Sequence, residues 1–235
     1  QGTAPKLIRG GAGATVDLNG TVQYVGRISS LGVAPGGGGT ITSAAPATLV
    51  SNMSAGDRTF GGSITGAITF GRVGGYTLTL ESPQTYTGAT YLLGSATSLQ
   101  DDATFANTSA LVLSYATLNL NNNSGLQTAN NNRIADAAPV TMRGSTITYN
   151  GRSAVYASET MGALTLDLGA NTVSANPNAG QGNYYSAVLT FASLQRNNNA
   201  TVNFTGLNLG QIGNTGGVLF TTAPATVGGG FLGAW

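Results

Sequence analysis

Eight carboxylates carry whatever acid–base chemistry this chain can perform: Asp17, Asp57, Glu81, Asp101, Asp102, Asp136, Glu159 and Asp167. Glycoside hydrolysis asks for two of them at roughly 5–9.5 Å. Only Asp101 and Asp102 are adjacent. Neighbours on a strand point to opposite faces, so this pair is expected in a turn before Ala103-Thr104-Phe105. Glu159 and Asp167 are a second pair that neighbouring coils of a stack could align. The two aspartates are also the best calcium candidate, since calcium takes roughly six to eight oxygens. The acidic nonapeptide of calcium-binding β-rolls is missing, and a solvated turn is the better reading. Neither cysteine nor histidine occurs in the 235 residues, which excludes thiolate zinc sites, disulfides, Cys nucleophiles and Ser-His-Asp triads. No catalytic, cofactor-binding or metal-ligating residue is assigned, no cofactor is implied, and no enzyme is expected.

Recognition of a partner surface has equally few candidates. Tyr184-Tyr185 and the scattered aromatics offer a glycan-stacking strip, but adjacent strand residues alternate faces, and inward stacking is the default. The net charge is +1 with no cluster of like charge, so neither a nucleic-acid nor an anionic membrane surface is indicated. Lys6 is the only lysine, which leaves few trypsin-type cleavage sites and suits exposure outside a cell. No run of about 18 apolar residues is present, so no transmembrane helix is expected. The start, QGTAPKLIRGG, lacks the basic-then-apolar pattern of a signal peptide. The chain is read as a processed section of a longer protein. Asn-X-Ser/Thr triplets at Asn19, Asn52, Asn107, Asn122, Asn199 and Asn203 follow from a composition rich in those residues.

The elements that must position these side chains are strands. In residues 59–90, Phe60, Ile64, Ile68 and Phe70 are followed after Gly74-Gly75 by Tyr76, Leu78 and Leu80, with Thr77 and Thr79 between them. That is period-two alternation in short runs, with no helical spacing. Such strands cannot bury a face alone. A stack in which each pairs with its equivalent in the next coil solves the problem. Only 7% of residues are charged, against about 25% in ordinary domains. The hydrophobic share of 41% still supplies a core, so the disordered signature is absent.

Repetition with insertions is suggested by three landmarks in the same order. Ala4-Pro5-Lys6-Leu7-Ile8-Arg9-Gly10 parallels Ala138-Pro139-Val140-Thr141-Met142-Arg143-Gly144. Each precedes a run ending in Asn-Gly, at Asn19-Gly20 and Asn150-Gly151, and then Gly26-Arg27-Ile28 or Gly162-Ala163-Leu164. The Asn-Gly pairs also fit two-residue hairpin turns. Three Asn triplets, starting at Asn121, Asn130 and Asn197, mark solvated turns, and some asparagines are expected to stack in ladders on successive coils. Gly36 to Gly39 is expected to be an exposed loop, and residues 124–137 to hold at most one short helical turn. No composition break divides the chain, so residues 1–235 form a single domain.

Residues 59–90 resemble the autotransporter-associated β-strand repeat, through Phe60, Gly62, Ile64, Gly66, Gly74, Gly75, Thr77-Leu78-Thr79-Leu80, Tyr86-Thr87-Gly88 and Thr90. Tyr76 and Ala89 depart from its usual wording. Asp17-Leu18-Asn19-Gly20, Glu159-Thr160-Met161-Gly162-Ala163-Leu164-Thr165-Leu166 and the segments 188–196, 201–206 and 218–224 resemble companion modules of the same long surface proteins. The resemblance implies an all-β, right-handed parallel β-helix (β-solenoid) from a secreted bacterial, passenger-type protein. About ten coils of about 20–25 residues, rising about 4.8 Å each, give a body roughly 50 Å long. The expected role is a rigid extracellular scaffold or fibre-forming subunit that self-associates end to end. The alternative is an adhesin whose lateral loops bind surface glycans, with a polysaccharide-degrading enzyme behind both. The aromatic ending Phe231-Leu232-Gly233-Ala234-Trp235 is like that of a barrel strand, but too little chain remains for a barrel.

Overall fold

A computed structural model describes residues 8–32, 34–124, 126, 129–178, 185–209, 211, 215–227 and 231–232. These residues are all-β, and no helix occurs among them, including the described part of 124–137. Strands pair in parallel throughout, apart from the short antiparallel pair Thr226–Val227 with Phe231–Leu232. Two sheets hold most of the strands. The longer, of nine strands, runs in spatial order Leu194–Arg196, Leu164–Leu168, Val140–Arg143, Leu111–Ser114, Thr90–Leu93, Ser63–Val73, Thr40–Asn52, Thr15–Asp17, with Val22–Val25 also on Thr40–Asn52. The second, of seven, runs Thr201–Gly206, Ala170–Asn176, Thr146–Asn150, Thr117–Asn121, Ala96–Gln100, Leu78–Leu80, Arg58–Phe60. From Ser63 onward the chain visits the two sheets in turn, landing one place further along each time. Beyond Asn150 it also visits a third sheet, Tyr156–Met161, Ser186–Phe191 and Gly216–Phe220.

Alternation decides which side chains enter the core. In the second sheet Leu78, Thr97, Leu118, Ile147 and Val173 are register partners, and so are Phe60, Leu80, Leu99, Leu120, Tyr149 and Ala175. All of them are buried. The residues between them, Thr59, Thr79, Ser98, Asn119, Thr148, Ser174 and Thr205, form the opposite column. The longer sheet stacks Phe70, Thr90, Leu111, Val140 and Leu164 in the same way. Each fully buried Leu, Ile or Phe contributes about 1.5–3 kcal/mol, and each column repeats that gain along the stack. Thr90 is tolerated inside because its hydroxyl bonds Tyr86 at 2.5 Å and Thr108 at 2.8 Å. Tyr86 itself lies between Phe70 and Phe105, ring centroids 5.9 and 6.0 Å away.

Corners between the two sheets recur at the same place. Gly94 N–H donates to Ser114 O, Tyr115 N–H to Arg143 O and Gly144 N–H to Leu168 O. The bend needs positive φ, supplied by Gly94 (75°), Tyr115 (49°) and Gly144 (55°). A side chain at Gly144 would meet the Tyr115 ring at 3.0 Å, so two bulky residues cannot succeed one another there.

Several expectations change. The strand in residues 76–80 begins at Leu78, and Tyr76 is exposed at the preceding corner. Asn19-Gly20 makes no hairpin: Thr15–Asp17 and Val22–Val25 both pair in parallel with Thr40–Asn52, so the turn is an outward bend within one edge. Asn150 pairs in parallel with Asn176, which removes the second hairpin. The three-landmark repeat is out of phase. Val140–Arg143 lies in the longer sheet and Thr146–Asn150 in the second, whereas Thr15–Asp17 lies in the longer one. Ala4 to Leu7 fall outside the described residues. Gly36 lies exposed in a turn, as expected, but Gly38 is buried, and a Cβ there would strike Gly62 N at 2.3 Å, so the glycine run passes from a loop into a close backbone approach. Offsets between parallel register partners range from 19 residues (Leu78 to Thr97) to 31 (Val173 to Phe204). The longer sheet therefore has eight tiers among the described residues, fewer than the ten expected.

Candidate functional site

The densest polar cluster surrounds Arg133, between the strands Thr117–Asn121 and Val140–Arg143 in the chain. Arg133, Asn122, Tyr149 and Glu159 are fully buried and Asp101 nearly so. Arg133 is held at every nitrogen of its guanidinium. Nε donates to Asn122 Oδ1 at 2.8 Å, Nη1 to Ala103 O at 2.7 Å, and Nη2 to Asp101 O and Asn121 O, both at 3.1 Å. The Glu159 carboxylate accepts the backbone N–H of Arg133 at 2.9 Å and of Ile134 at 2.8 Å. It does so across 26 and 25 residues, replacing carbonyls that a neighbouring strand would otherwise supply. Tyr149 donates to Ser158 O and accepts from Asn122 Nδ2.

Burial dominates the titration of this cluster. It raises the Glu159 carboxyl to about 7, opposed by the two backbone N–H groups and by the Arg133 charge. It lowers Arg133 to about 10, opposed chiefly by Glu159. It also raises the Tyr149 phenol. A carboxylate spending both oxygens on backbone N–H groups is a clamp on the chain, since neither oxygen faces a route for substrate.

The other carboxylates are scattered by the fold. Asp101, at φ 51°, sits in the expected turn, but it is buried: Oδ1 accepts from Ser124 Oγ and Leu126 N–H, both at 2.9 Å. Asp102 is exposed. Glu159 and Asp167 are not brought together. Asp167 lies on the longer sheet, bonded by Arg143 Nε at 2.7 Å, and that bond followed by one from Asn197 lowers its pKa. Glu81 accepts from Gln100 Nε2 at 3.1 Å, and burial, with Asp101 nearby, raises its pKa. Among the described residues no group of three acidic side chains gathers as for a metal ion. Tyr184 lies outside the described residues.

Asparagine is more structural than its triplets suggest. Asn122, expected in a solvated turn, is buried in the Arg133 cluster. Asn121, Asn150 and Asn176 are register partners, and Asn176 Nδ2 donates to Asn150 Oδ1 at 3.3 Å. This ladder forms one wall of a cleft of about 360 Å³, completed by Asn123, Gly151, Pro177 and Asn178. Among the described residues lining it, every side-chain polar group is an uncharged carboxamide.

A second buried arginine stands apart. Arg72 is fully buried in the inward column between Ser51 and Leu92. Its Nη1 donates to Gly74 O at 3.1 Å and to Gly94 O, while Nε and Nη2 have no partner among the described residues. Desolvation lowers it to about 10. Sequence reasoning assigned neither arginine. A signal existed for Arg72, which continues the inward phase of Ile68 and Phe70; Arg133 lies outside any strand and carries none.

No protein-family model, no curated protein and no solved structure matches this chain.

Proposed function

We propose that the chain is a right-handed parallel β-solenoid, a section of a secreted bacterial surface protein, and that it serves as a rigid extracellular scaffold or fibre-forming subunit. The single observation that carries this reading is the in-register stacking of parallel strands from two sheets visited in turn. Closing each circuit in the right-handed sense follows the strong preference of parallel crossovers. Backbone bonds then run along the long dimension, so extension loads many of them together. The autotransporter-repeat resemblance of residues 59–90 supports a surface setting. The outer edge formed by Thr15–Asp17 and Val22–Val25 takes no partner strand among the described residues, and Val16, Val22 and Tyr24 on it are exposed. Open edges recruit further strands, which favours end-to-end association or continuation into more repeats. Electron microscopy and size measurement of the purified chain test the role. Filaments or concentration-dependent end-to-end oligomers are expected; a monodisperse monomer at all concentrations contradicts self-association.

The asparagine cleft favours one second reading, an adhesin that contacts neutral glycans. Carboxamides donate and accept at once and so match sugar hydroxyls without needing charge. Glycan-array binding lost on replacing Asn150 with Ala would favour it over the scaffold reading.

A further inference from the structure

We propose that the corner flanked by Arg72 and Thr97 binds one small monatomic anion of the halide class inside the stack. Arg72 has no exposed surface and makes no ion pair among the described residues. The carboxylate whose field it feels is Asp57; one oxygen of that group is committed to the N–H of Thr77 at 2.7 Å. Of the guanidinium, Nη1 alone is satisfied, by the corner carbonyls of Gly74 and Gly94 and a longer contact to Leu93 O at 3.5 Å. Nε and Nη2 are buried donors with no acceptor among the described residues.

Thr97 supplies the second observation. It is the register partner of Leu78, on the inward column of the adjoining sheet, and its Oγ1 is also buried with no partner among the described residues. The Arg72 side chain reaches the carbonyl of Gly94, three residues before Thr97. Two N–H donors on the strand that pairs with Leu92, before the Gly94 corner, and one hydroxyl on the strand just past that corner are thus left without partners among the described residues. An ordered water could accept from such donors but would leave the cation unneutralised. A monatomic anion accepts from all three without a directional demand of its own, neutralises the guanidinium, and suits a close-packed interior. Access is short: Gly75 and Tyr76 at the corner are exposed, and a Cβ on Gly75 would meet nothing within 4 Å.

The test is denaturant unfolding of the full chain as chloride replaces gluconate at constant ionic strength, paired with a crystal grown in bromide. Above the dissociation constant, each tenfold rise in chloride is expected to raise the folding equilibrium constant about tenfold. Arg72→Met is expected to abolish that dependence, and Thr97→Val, which keeps the shape, to shift it to higher chloride. Bromide should give an anomalous peak between Arg72 and Thr97. A wild-type stability indifferent to chloride overturns the proposal, and with a bromide peak present it shows an adventitious ion only. An undiminished chloride dependence in Arg72→Met, or in Thr97→Val if the first variant does not fold, also overturns it. So does a crystal showing only a water there.

Discussion

Two arginines, equally withdrawn from solvent, meet opposite surroundings in this molecule. Arg133 lies against the turn at Asp101 and Ala103 and the end of the strand Thr117–Asn121, whose carbonyls, with the Asn122 carboxamide, satisfy all three guanidinium nitrogens, and Glu159 offsets its desolvation. Arg72 lies in a regular strand column, where the neighbours are Ser51 and Leu92 and only the corner carbonyls reach it. The difference is one of local geometry. A turn and a strand end can aim backbone acceptors inward, while strands in register spend theirs on each other. A parallel stack therefore absorbs a buried charge where its tiers are irregular and leaves it exposed to imbalance where they are regular.

The sharpest way to break this contrast is Arg133→Met. It strands the carbonyls of Asp101, Ala103 and Asn121 and the Asn122 carboxamide and leaves Glu159 without its cation, and is expected to cost about 3–5 kcal/mol, read from the urea midpoint. Glu159→Gln comes next, at about 1–3 kcal/mol, because an NH2 group replaces one of two acceptors needed by Arg133 and Ile134 N–H.

That second variant also carries the pH test. Burial holds the Glu159 carboxyl at about 7, above its ordinary 4.5, so the native state binds a proton more tightly than the unfolded chain. Stability from this group is complete below about 4.5 and is lost as pH rises through about 7. The groups facing it are Arg133, Tyr149 and Asp136. Wild-type unfolding midpoints should fall between these pH values, and the Gln variant should lack that slope. Tyr149→Phe removes one hydroxyl shared by Ser158 O and Asn122 and should cost about 1 kcal/mol. The smallest effect belongs to the other side of the comparison: Arg72→Met in halide-free buffer should change stability by less than about 1 kcal/mol, since an apolar side chain replaces a charge with few partners. A loss as large as that of Arg133→Met would erase the distinction.

The sequence disclosed the stack better than the cluster. Ile68 and Phe70, Leu78 and Leu80, and Leu164 and Leu166 announce their inward phase by alternation alone, and all are buried. Parallel pairing followed because such short strands need partners. Asn122 was illegible, since a buried asparagine and a turn asparagine look identical within a triplet. Glu159 was visible as a carboxylate, but its capture of two N–H groups some 25 residues earlier depends on which tiers align. Variable loops hide that alignment. They also explain the misleading repeat, whose wording recurs at Val140 in the other sheet phase.

Spin-label distances along one outward column test the stacking most directly, and the chain's lack of cysteine makes the labelling clean. Thr59, Thr79, Ser98, Asn119, Thr148, Ser174 and Thr205 follow one another by register. With about 4.8 Å per strand, T59C/T148C should give about 19 Å and T59C/T205C about 29 Å, both as narrow distributions. A second pair no longer than the first, or broad distributions for both, would contradict the stack and the scaffold role built on it.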